Sequence, residues 1–96
     1  MNNSKWQDIE NQITYWIQIN ENANFGLDVG YRDKIIEFLK EPMNDSAVEK
    51  IISKMQKDLM VLQGKEVSLY WVCGENQITI KVDNNSLTVQ LTRKAE

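Results

Sequence analysis

Three runs near the end of the chain alternate apolar and polar residues. Val67, Leu69, Trp71 and Cys73 interleave with Ser68, Tyr70 and Val72. Ile78, Ile80 and Val82 interleave with Thr79, Lys81 and Asp83, and Leu87, Val89 and Leu91 with Thr88, Gln90 and Thr92. Period-two alternation rich in β-branched and aromatic residues predicts half-buried strands, here over 66–73, 76–83 and 86–92. Gly74-Glu75 and Asn84-Asn85 fit as two-residue hairpin turns, because Gly and Asn tolerate positive φ.

These turns fix a register. The first pairs Trp71 with Ile78, Leu69 with Ile80 and Val67 with Val82. The second pairs Val82 with Leu87, Ile80 with Val89 and Ile78 with Leu91. All the apolar side chains then share one face. A one-residue slip would send a strand's apolar set to the other side.

The first two-thirds read as helix. Ser4 and Gln7 have the spacing of a capping box, and Trp6, Ile9, Ile13, Trp16 and Ile17 follow on one helical stripe. Residues 13–19 also alternate as a strand would. A helix over 4–20 is preferred because cap and stripe begin together. Asn22, Asn24, Gly26 and Gly30 favour turns, with Phe25 and Leu27 tucked against the core edge. The glycines lack the Lys-Ser/Thr of a phosphate loop.

A second helix is expected over 31–41, with Tyr31, Ile35, Phe38 and Leu39 inward, ended by Pro42. A third is expected over 45–63, capped by Asn44 or Asp45. Its stripe is Val48, Ile51, Ile52, Met55, Leu59 and Leu62, with Met55 and Met60 as core fillers and Gly64 as the left-handed residue after its end. The expected fold is α+β in a single domain of 96 residues. Three N-terminal helices pack on one face of a three-stranded antiparallel meander.

Composition narrows the function. The chain lacks His entirely, which removes the commonest general base and metal ligand. Cys73 is the only thiol. Strand parity puts it inward, where a thiol is inert. Nothing brings two carboxylates into a cleft, so no enzyme and no cofactor or metal is expected. No apolar run approaches the ~20 residues that span a bilayer. With one cysteine and no signal-like N-terminus, the expected location is cytoplasmic. Ten Asn and ten Ile suggest an AT-rich genome, bacterial or phage.

Net charge is −3. Residues 1–49 hold nine acidic and four basic side chains, and residues 50–96 hold five and seven. Asp33, Glu37 and Glu41 are spaced to form an acidic row on the second helix, suited either to a solvated face or to a basic partner. Lys50, Lys54 and Lys57 form a basic row on the third. It lacks both the planar fork of Arg and interleaved aromatics, so nucleic acid is the weaker expectation.

What remains is binding. The outer face of the meander carries Tyr70 and Val72 on one edge strand, and Thr88 and Gln90 on the other. Both edge strands could accept a further strand. The expected function is that of a small non-enzymatic module binding a partner protein stoichiometrically, as inhibitors, immunity proteins, antitoxins and phage antagonists do. The tentative partner surface is Tyr70, Val72, Thr88, Gln90, Asp33, Glu37 and Glu41. The alternatives are a nucleic-acid factor using the lysine row, and a self-assembling subunit that dimerises through a sheet edge.

Overall fold

A computed structural model describes residues 3–20 and 34–91. The architecture is α+β. Helix α1 (Asn3–Asn20) is followed by the single turn α2 (Ile35–Phe38) and helix α3 (Asp45–Asp58). A 3-10 turn (Met60–Leu62) leads into strands β1 (Val67–Tyr70), β2 (Gln77–Val82) and β3 (Asn85–Gln90). The sheet is antiparallel, in the order β1-β2-β3.

The helical expectation for residues 13–19 holds, within α1. Ser4 is already inside that helix. Gln7 turns to Asn11 at 3.2 Å instead of reaching back to a cap. Ile9, Ile13, Trp16 and Ile17 are buried, and Trp6 is half-buried against them.

Two corrections concern the other helices. The second of the three expected is only α2, with Leu39 and Lys40 in a turn beyond it and Glu41 in a bend. Residues 21–33, including Phe25, Leu27, Tyr31 and Asp33, lie outside the described residues. Helix α3 begins as expected, with the Asn44 side chain accepting from the Ala47 N–H at 2.9 Å. It ends at Asp58 rather than at residue 63, because Leu59 is extended (φ −113°, ψ 100°). The break starts the reversal into β1 and buries Leu62, but it leaves Met60 exposed instead of in the core. Gly64 does take positive φ, +81°, after the 3-10 turn instead of after an α-helix.

In the first hairpin the pairing is Val67↔Val82 and Leu69↔Ile80, as expected. In the second it is Val82↔Asn85, Ile80↔Leu87 and Ile78↔Val89, two residues from the expected register. The turn is Asp83-Asn84, not Asn84-Asn85. Glu66 explains the difference. Its carbonyl accepts from the Asp83 N–H at 2.8 Å, and its N–H donates to Asp83 Oδ1 at 3.0 Å. Asp83 is thereby held beside β1 at φ 54° and becomes the first turn residue. A shift of two preserves parity, so the apolar face survives. Leu69, Trp71, Ile78, Ile80, Val82, Leu87, Val89 and Leu91 are all buried, and Val67 is half-buried.

The β1–β2 connection differs from the two-residue turn expected. It runs over 71–76, with a hydrogen bond from the Glu75 N–H to the Val72 carbonyl at 3.0 Å and Gly74 at φ +89°. Cys73 therefore escapes strand parity. It is exposed, not inward, and its S–H donates to the Lys40 carbonyl at 3.0 Å. The Gly74 N–H donates to the Leu39 carbonyl at 2.9 Å, and Trp71 Nε1–H to the Glu41 carbonyl at 2.8 Å. Three consecutive carbonyls after α2 are thus satisfied by the β1–β2 connection. A helix end leaves such carbonyls without partners unless another segment supplies donors.

Candidate functional site

The side chains where the end of α1 meets the end of α3 form an open groove of about 410 Å³. Gln12, Tyr15, Trp16, Ile19 and Asn20 line it from α1, and Asp58 and Leu59 from the end of α3. Tyr15 and Ile19 are 66% and 58% exposed. They lie one helical turn apart, off the stripe that α1 buries. Exposed Met60 follows Leu59 in the chain. Scattered exposed apolar residues are ordinary, whereas Tyr15 and Ile19 both line this one groove.

One polar network crosses the groove. Trp16 Nε1–H donates to Asp58 Oδ2 at 2.8 Å, and Lys54 Nζ lies 3.0 Å from the same oxygen. The Trp16 hydrogen bond, with Lys54 second, holds the Asp58 carboxyl below its usual pKa. Both bonds fall on Oδ2. That leaves Asp58 Oδ1 as an acceptor at the wall of an otherwise mainly apolar groove. Asn20 closes the end of α1 by donating to the Trp16 carbonyl at 2.9 Å.

Of the residues expected at a site, Tyr70, Thr88 and Gln90 share the outer face of the sheet, with Tyr70 and Thr88 in one row across Thr79. Glu37 and Glu41 belong to α2 and the bend after it. Tyr70 and Val72 are each 54% exposed, and Thr88 and Gln90 are exposed. All but Val72 lie on the outer face of the sheet. Thr88 bonds Thr79 at 2.9 Å, and Gln90 donates to Gln77 at 3.1 Å. The acidic row does not form a helical stripe. Glu37 pairs with Lys40 at 3.3 Å, and Glu41 lies in the bend beyond α2. Of the basic row, Lys54 is engaged by Asp58, while Lys50 and Lys57 are exposed.

Reasoning from sequence passed over the groove. Its signal was present: Tyr15 and Ile19 are large apolar residues off the α1 stripe. In the sequence both also fit the strand-like alternation of residues 13–19, which hides that signal. Asp58 carried no signal, because its role depends on Trp16, 42 positions away. No group of three or more His, Cys, Asp or Glu converges on a metal position among the described residues. No helix among them is long and apolar enough to cross a membrane. The chain matches no known family, no curated protein and no solved structure.

Proposed function

We propose that this protein is a non-enzymatic binding module that engages a partner protein stoichiometrically, in the manner of inhibitors, immunity proteins, antitoxins or phage antagonists, in the cytoplasm of a bacterial host. The observation that carries this reading is the groove. Exposed Tyr15 and Ile19 and half-buried Leu59 surround Asp58, an ionised carboxylate with one oxygen to spare. Such a site takes an apolar anchor side chain with a hydrogen-bond donor beside it, for Asp58 Oδ1. Interface energy concentrates in anchors of this kind, seated among aromatic side chains.

The test is capture of partners from host lysate, after nuclease treatment, with wild type, Ile19→Glu and Tyr70→Glu. Ile19→Glu places a charge in the groove without touching the buried stripe. The expected result is one partner near equal stoichiometry, lost with Ile19→Glu and kept with Tyr70→Glu. A partner kept by both variants, or recovery abolished by nuclease, overturns the proposal.

A further inference from the structure

The outer edge of β3 carries backbone hydrogen-bonding groups with no partner among the described residues. In the β2–β3 ladder, Leu91 N–H donates to the Asn76 carbonyl at 3.0 Å. The pairs of the same parity, Ile78↔Val89, Ile80↔Leu87 and Val82↔Asn85, are therefore the hydrogen-bonded ones. Ser86, Thr88 and Gln90 fall between them, so their N–H and C=O groups point away from β2. No backbone bond from another described element meets them.

Monomeric proteins protect such an edge with charge, proline, a bulge or brevity. Strand β1 follows that rule: it has four residues and follows Lys65-Glu66. Strand β3 has none of these devices. It has six residues, and positions 85–91 carry no charged residue and no proline. Its outward side chains are small or uncharged, and its inward ones, Leu87 and Val89, are apolar.

We infer that β3 pairs with β3 of a second copy of this chain, antiparallel about a two-fold axis at Thr88. Thr88 then faces its own counterpart and Ser86 faces Gln90 of the other copy. All three outward-pointing residues are paired, with about six inter-chain bonds. Sliding the axis to Ser86 or Gln90 leaves some of these groups unpaired. No like charges meet at the axis, although each chain carries a net −3. A surface that meets itself across a two-fold must be neutral or self-complementary, and this edge is both. The result is a continuous six-stranded sheet with the order β1-β2-β3-β3-β2-β1. The inference is independent of the groove, which lies at the ends of α1 and α3.

The test is sedimentation velocity from low micromolar to submillimolar concentration, with thermal melting of every variant. The variants are Thr88→Lys, Ser86→Lys and Tyr70→Lys. Thr88→Lys sets two ammonium groups against each other at the axis. Ser86→Lys places an ammonium opposite Gln90 of the other copy and beside Lys81 of its own chain. It charges the edge away from the axis and serves if Thr88→Lys fails to fold. Tyr70→Lys charges the outer face but spares the edge. Wild type and Tyr70→Lys are expected to shift with concentration from 11.2 kDa toward twice that mass. The two edge variants should stay at one chain mass with little change in melting. A wild type that stays single over the whole range overturns the inference. So does a dimer that survives both edge lysines, or one lost only with Tyr70→Lys.

Discussion

The two hairpins each place one residue at positive φ, Gly74 at +89° and Asp83 at +54°, yet they are held by different parts of the molecule. The β1–β2 connection is tied to the helical layer. Its Trp71, Cys73 and Gly74 donate to the carbonyls of Glu41, Lys40 and Leu39. Among the described residues, the hydrogen bonds that hold the β2–β3 turn are the two that Asp83 exchanges with Glu66, the residue before β1. The first arrangement lets a distant segment shape a loop. The second lets one side chain choose which two residues form a turn. Neither consequence follows from strand periodicity.

The largest break in this comparison comes from Trp71. Its ring is buried in the core and its Nε1–H caps the Glu41 carbonyl. Trp71→Ala should cost about 3–5 kcal/mol in urea unfolding, through the cavity it leaves. Trp71→Phe keeps most of the ring and loses the donor, so about 1–2 kcal/mol is expected. Equal losses for the two variants would mean that the hydrogen bond, not the packing, anchors the connection.

The two positive-φ positions sharpen it further. A Cβ at Gly74 meets nothing within 4 Å, so Gly74→Ala tests backbone strain alone, about 1–2 kcal/mol. Asp83→Ala combines similar strain with the lost bond to the Glu66 N–H, so the cost should be about 1–3 kcal/mol. Asp83→Asn keeps a side-chain acceptor and tolerates positive φ, and should be within about 0.5 kcal/mol of wild type. A large loss with Asp83→Asn would show that the carboxylate charge, rather than an acceptor at that position, sets the register.

The smallest effect concerns pH. The folded Asp58 carboxyl lies below its usual range because Trp16 and Lys54 bond to its charged form. Its contribution to stability is therefore fully present above the unfolded pKa, about 3.9, and is lost as pH falls through the lower folded value. The gap in urea midpoint between wild type and Asp58→Asn should be greatest near neutral pH and shrink below about pH 4. A gap that does not change with pH would mean that shape, not charge, links α1 to α3.

Much of this was legible in the chain. The alternation around Leu69, Ile80 and Val89 defined three strands with one apolar face, because side chains on a strand switch faces at every residue. The stripe from Ile9 to Ile17 and the Asn44 cap marked α1 and the start of α3 by local chemistry alone. The short α2, the end of α3 at Asp58 and the exposure of Cys73 were not legible. They depend on contacts between segments far apart in sequence, such as Trp71 with Glu41 and Gly74 with Leu39. The groove was half-legible, in Tyr15 and Ile19 but not in Asp58.

The sequence by itself determined the α+β class, the apolar face of the meander and the absence of histidine chemistry. Each follows from composition or from a short-range period that needs no partner. Only the tertiary structure decided the register of β3, the length of the helices and the meeting of Trp16 with Asp58. Parity fixes a face but is blind to a shift of two residues. A hydrogen bond such as that from Glu66 to Asp83 removes the degeneracy only once both strands are in place.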